Sequence, residues 1–124
     1  MEALSRDTIL SLCKILYDKK GMDIRAIEVK DKTIIADWFI ICSGRGVPQV
    51  KALCDDFEDK TAQMGLLVHR KDGYQDGRWI VLDYGDLLVH LFHPEERTFY
   101  NLERLWDDGQ NVIEYTEETD HAAE

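Results

Sequence analysis

Four groupings of side chains invite a chemical reading. His90 and His93 are three positions apart, which on a helix would suit a shared metal. They fall in an extended apolar run, where odd spacing sends neighbours to opposite faces. No CxxC accompanies them. Cys42 and Cys54 would need a histidine partner to act as nucleophiles. Both sit in apolar patterns, where cysteine behaves as a small inert hydrophobe. Ser43 opens the stretch Ser43-Gly44-Arg45-Gly46, which is not a G-x-S-x-G elbow. A strand, a glycine turn and a helix in succession can cradle an anion, but neither GxxxxGK[ST] nor GxGxxG is present. A tight turn needs Gly44 and Gly46 in any case. Nucleotidyl transfer asks for such a turn and then two acids, one apart on the next strand, to hold Mg²⁺. The acids that follow, Asp55 and Asp56, are adjacent and helical, and Asp83 and Asp86 flank a hairpin tip. The turn is present without the metal acids. The expectation is therefore no catalytic residue, no metal, no cofactor and no enzyme. The alternative is a small nucleotide-binding enzyme using the Ser43–Gly46 turn.

The densest pattern is Arg78 to His93, RWIVLDYGDLLVHLFH. Gly85-Asp86 between two apolar runs suits a two-residue type II′ hairpin. That turn pairs Tyr84 with Leu87, Leu82 with Val89, Ile80 with Leu91 and Trp79 with Phe92. Alternation along each strand gives two unlike faces. Ile80, Leu82, Tyr84, Leu87, Val89 and Leu91 read as core. Trp79, Val81, Asp83, Leu88, His90 and Phe92 form an apolar face with an acid and an imidazole set into it. Buried surface rarely carries an unpaired Asp, so this mixed face is the place to look for function. In the plainer reading, a helix covers it and Asp83 pairs with a turn amide.

The elements that must position this hairpin follow from periodicity. Leu4 to Lys19 reads as a helix with Ile9, Leu12, Cys13 and Leu16 on one face and Gly21 as its stop. Asp23 to Lys30 alternates as a half-buried strand near an edge. Ala36 to Cys42 is apolar on both faces and belongs in mid-sheet. A helix with Pro48 at its first position buries Val50, Leu53, Cys54, Phe57 and Met64, and ends at Gly65. Leu66 to Arg70 reads as a short strand. His93-Pro94-Glu95-Glu96 opens a last helix with Phe99, Leu102 and Trp106 as its stripe. The order α-β-β-α-β-β-β-α makes the class α+β (mixed α/β). It has an approximately five-stranded mixed sheet, helices on its faces, and one parallel pair connected through the middle helix.

Composition narrows the function classes. A chain of 124 residues is one domain. A formal charge of −10 argues against phosphate-neutralising nucleic-acid binding and fits a basic partner. From Asp107 onward there are seven acids and no Lys or Arg, so residues 1–106 read as the domain and 107–124 as a solvated acidic tail. Val112, Ile113 and Tyr115 allow part of that tail to dock back. Three widely spaced cysteines suggest a reducing compartment. With no signal peptide and no membrane-length apolar run, the expected location is the cytoplasm.

Several stretches together resemble the ribosomal silencing factor family, RsfS, also called Iojap. They are Ile34 to Gly44, Gln49-Val50 with Ala52, Gly73 with Gly77-Arg78-Trp79, and above all Trp79 to Trp106, WIVLDYGDLLVHLFHPEERTFYNLERLW. The resemblance implies a nucleotidyltransferase-like fold without the active site. It also implies binding to the large ribosomal subunit through ribosomal protein uL-fourteen. Such docking would sterically block small-subunit joining and so repress translation under nutrient limitation. Carried onto this chain, the partner surface is Trp79, Asp83, Tyr84 and Gly85, with Asp86 and Arg78 as neighbours. A homodimer of the free protein is a further possibility that the mixed face raises. The chain departs from the family pattern at Val47-Pro48, where small polar residues are usual.

Overall fold

A computed structural model describes residues 4–119, without the side chains of residues 99 and 100. The first helix, α1 (Arg6–Asp18), starts where the Ser5 hydroxyl accepts from the Thr8 amide at 3.1 Å, satisfying an otherwise orphaned donor. Ile9, Leu12, Cys13 and Leu16 are its buried stripe. Its end differs from the sequence expectation. Lys20, not Gly21, takes the left-handed conformation (φ 69°). The Lys20 amide donates to the Tyr17 carbonyl and the Gly21 amide to the Leu16 carbonyl, a Schellman closure. Gly21 is needed for space: a Cβ there would lie 2.5 Å from Cys42 Sγ.

Strand β1 (Met22–Glu28) is followed by β2 (Trp38–Ser43), buried at every position. Helix α2 (Val47–Gln63) begins one residue before Pro48, so the proline is its second residue rather than its first. The expected strand at 66–70 is not there. The Leu66 amide donates back to Thr61 at 2.8 Å, and Leu66 and Val68 pack against the core as loop residues. The ladder starts later, in β3 (Arg70–Asp72), a short edge strand of exposed charges. Strands β4 (Trp79–Asp83) and β5 (Leu87–Phe92) form the hairpin.

The expected last helix is two: α3 (Pro94–Tyr100) and α4 (Leu102–Trp106). Asn101, left-handed at φ 48°, separates them. Residues six apart on one helix do not share a face. The break lets Arg97 Nε reach Glu103 Oε1 at 2.8 Å, while Arg97 Nη1 donates to Ser43 Oγ at 2.9 Å. Arg25 joins this network through Glu103 and Glu114. Of the expected stripe, Leu102 and Trp106 pack on the sheet; the Phe99 side chain lies outside the described residues.

The sheet has six strands, in the order β3-β4-β5-β2-β1-β6, rather than about five. The sixth, β6 (Val112–Tyr115), comes from the acidic C-terminal segment and pairs antiparallel with β1. The tail acids Asp120 and Glu124 lie outside the described residues. β2 and β5 form the parallel pair, from Trp38 opposite Leu87 to Ser43 opposite Phe92. Helices α1 and α2 cover one face, over Ile40, Ile80, Leu82, Val89 and Leu91. On the other, Trp106 stands edge-on to Phe39 at 5.5 Å, but Trp79, Val81 and Leu88 stay half-exposed. One face is fully roofed and the other only half.

Lys20→Gly should gain about 0.5–1 kcal/mol by removing left-handed strain. Gly21→Ala should lose about 1–3 kcal/mol through overpacking against Cys42. Urea denaturation of the two variants measures both, and equal effects would mean that α1 does not close as described.

Candidate functional site

The half-open face is carried by the hairpin. Its pairs are those the Gly85-Asp86 turn demands: Leu82 with Val89, Ile80 with Leu91 and Trp79 with Phe92. The Tyr84 amide donates to the Leu87 carbonyl at 2.9 Å. Gly85 has φ 91° while Asp86 stays at negative φ, which fits type II′ rather than I′. Asp83 Oδ1 accepts from the Gly85 amide at 2.8 Å, so part of the plainer sequence reading holds: this acid does cap the turn. The tip is also stitched to β2. The Asp86 carbonyl accepts from the amides of Asp37 (2.8 Å) and Trp38 (3.1 Å).

Trp79 and Asp83 share the half-open face. The indole stacks on Phe92 at 5.0 Å between centroids, and its Nε1 donates to His90 Nδ1 at 3.2 Å. His90 is buried, with Phe39 edge-on at 5.4 Å. An Nδ1 that accepts leaves the imidazole neutral with its proton on Nε2, and Nε2 has no hydrogen-bond partner among the described residues. Burial lowers the His90 pKa to about 4, because the charged form would lose its hydration.

The remaining sequence-predicted residues are spread around this centre. Tyr84 points to the opposite face: it is buried, its hydroxyl is 2.8 Å from Thr61 Oγ1, and its ring meets Phe57 edge-on at 5.9 Å. Burial pushes its phenol up to about 12. It holds the tip to α2. Gly85 is exposed at the tip and Asp86 half-exposed beside it. Arg78 lies at the other end of β4, roughly 17 Å along the strand from Asp83. It donates to Glu96 at 2.8 Å and Glu95 at 3.2 Å, tying the hairpin to α3. The structure thus gathers Trp79 and Asp83 on one face, Gly85 and Asp86 at its end, and sets Tyr84 and Arg78 as braces. Periodicity could not show which half of the mixed face the last helices would cover.

The other groupings are structural in form. Ser43 is buried and accepts from Arg97. The amides an anion would use at this turn are partly engaged, Gly44 with the Phe92 carbonyl and Arg45 with Gln49 Oε1. Cys13, Cys42 and Cys54 are buried, and burial pushes each thiol up to about 12, away from thiolate chemistry. Cys54, Asp55 and Glu58 place ligand atoms within 4.8 Å of one another. Lys71 Nζ already stands 3.0 Å from Glu58, however, and the Tyr74 hydroxyl 3.0 Å from Asp55. His93 faces away from His90 and accepts the Glu95 amide at the start of α3.

Because the folded state binds a His90 proton less readily than the unfolded chain, its contribution is complete above about pH 6.5 and is lost as pH falls toward 4. Between pH 7 and pH 5 the loss should be about 2 kcal/mol. Denaturation at the two pH values, with His90→Phe as control, checks this: the variant should lose much less over that range. An equal loss in both proteins would assign the titration elsewhere.

The family described as "Ribosomal silencing factor during starvation" matches residues 2–124. The Halalkalibacterium halodurans protein named ribosomal silencing factor RsfS is 40% identical over 110 residues, covering 88% of this chain and 94% of its own. The Bacillus subtilis protein of the same name is 40% identical over 92 residues, covering 74% of this chain and 78% of its own. A crystal structure from Chromobacterium violaceum superposes with a TM-score of 0.77 at 29% identity, over 90% of this chain and 94% of that one. Sequence pattern, six-stranded mixed sheet and hairpin converge, and the chain belongs to the ribosomal silencing factor family, RsfS.

Proposed function

We propose that this protein is a non-enzymatic translation repressor of the cytoplasm that docks on the large ribosomal subunit through its hairpin face. Ribosomal protein uL-fourteen is the partner, and the docked factor stands where the small subunit must join, holding back translation when nutrients are short. The observation that carries this reading is Trp79. Its indole is stacked on Phe92 and tied to His90, yet it is not fully buried. A rigid aromatic with a satisfied N–H that is only partly buried is what interface anchors are made of, since little side-chain freedom is lost on docking.

Asp83 and Asp86 sit around this anchor, on a chain of net charge −10. Such acids steer a basic ribosomal protein into register more than they add affinity. The same charge disfavours ribosomal RNA as the direct contact. Tyr84 and Arg78 serve the surface from behind, one fixing the tip to α2 and the other the strand to α3. Blocking by bulk alone needs no reaction, which agrees with a turn at Ser43–Gly46 closed by Arg97 and Gln49.

Co-sedimentation with isolated large subunits, small subunits and joined ribosomes tests the proposal: binding should be confined to free large subunits and should lower the yield of joined ribosomes. Trp79→Ala should weaken large-subunit binding by about 30- to 1,000-fold with the circular dichroism of the folded chain retained; an unfolded variant would make Trp79 a core residue and this assignment wrong. Asp86→Lys leaves the stitching carbonyl in place. It should slow association, with an effect that shrinks as salt is raised. A salt-independent change would remove steering from the account.

A further inference from the structure

We infer that Ile34 and Ile35, in the loop between β1 and β2, form a second, apolar arm of the docking surface, which seats on an apolar patch rimmed by Lys and Arg side chains on the large-subunit protein. The inference rests on the docking proposed above and extends it to residues outside the hairpin. Ile34 is fully exposed and Ile35 is 62% exposed. Scattered exposed hydrophobics are ordinary, but two adjacent isoleucines displayed on a constrained loop mark a contact surface.

The loop is fastened on both sides of the pair. Before it, the amides of Lys32 and Thr33 donate to the Val29 carbonyl, and the Ile35 amide donates to Thr33 Oγ1 at 3.2 Å. After it, Ala36 is buried and the Asp37 amide donates to the Asp86 carbonyl at the hairpin tip. Ile35 is thus two residues from a direct bond to the tip, at most about 7 Å of chain. Ala36 and Asp37 therefore link the arm to the tip.

Charge chooses the occupant. Among the described residues no cation pairs with the carboxylates of Asp37, Asp83 or Asp86. Arg70, opposite Asp83 in the β3–β4 ladder, is turned instead to Asp72 at 3.0 Å, and Lys32 to Asp108 at 2.8 Å. An apolar pair bordered by unneutralised carboxylates repels an anionic lipid headgroup or a nucleic-acid backbone and matches a basic protein surface with an apolar centre.

The experiment is equilibrium binding of the full chain to isolated large subunits, comparing wild type with the double variant Ile34→Ser/Ile35→Ser and with the conservative pair Ile34→Leu/Ile35→Leu. Both positions lie outside the strands, so circular dichroism and melting temperature should not change. The serine variant should bind about tenfold or more weakly, and the leucine variant should bind nearly as wild type. If wild type binds and the serine variant binds equally well, the arm is overturned while hairpin docking stands. If wild type fails to bind, the docking reading falls and takes the arm with it. If the serine substitutions abolish a dimer seen by sedimentation and leave subunit binding intact, the arm belongs to self-association and the inference is wrong.

Discussion

The register between β2 and β5 is the constraint on which the rest of this structure depends. Side chains alternate faces along a strand, so a slip of one residue would send every side chain to the opposite face and into the wrong one of two cores. Here Trp38, Ile40 and Cys42 lie beneath the helices while Phe39 and Ile41 face the other way. The slip is opposed at both ends of the pair. At one end the Asp86 carbonyl takes two amides from the start of β2. At the other, Ser43 is held by Arg97, which is itself held by Glu103. The same two clamps place the hairpin tip and the α3–α4 corner, so the core and the candidate surface share one set of bonds.

Unequal roofing of the sheet follows. Helices α1 and α2 lie on one face. After β5 come the short helices α3 and α4, and α4 packs through Trp106 on Phe39. Trp79, Val81 and Leu88 are left only partly buried on the strand pair. Beneath them, His90 Nδ1 accepts from the Trp79 indole N–H. That bond is better suited to orienting a ring than to moving a proton.

How much of this was legible depended on whether the signal was periodic. The hairpin register, the stripe of α1 and the buried run of β2 are written in alternation or in 3.6-residue spacing, and each was readable. What was missed turns on local accommodation. Leu66, Leu67 and Val68 look like a strand, yet a hydrogen bond from the Leu66 amide to the Thr61 carbonyl draws the start of this stretch into the close of α2. Asn101 looks like any helical residue, yet its tolerance of left-handed backbone divides the last helix. The acidic composition from Asp107 hid a strand because three apolar residues among many acids are a weak pattern. Tyr84 shows the two sources of inference pulling apart. Alternation placed it in the core, where it lies, whereas the resemblance placed it on the partner surface beside Trp79.

The parallel pair has a consequence for how quickly the chain can assemble. Trp38 meets Leu87 only after α2, β3 and β4 have been accommodated between them. Closing so long a loop is entropically costly before any contact rewards it. The β4–β5 hairpin needs only its two-residue turn and can form within microseconds. Assembly is therefore expected to be uneven in time, with the segment that bears Trp79 gaining its shape early and waiting, apolar on both sides, for β2 to arrive. The acids at its turn, Asp83 and Asp86, lie where a premature encounter between two such hairpins would bring like charges together.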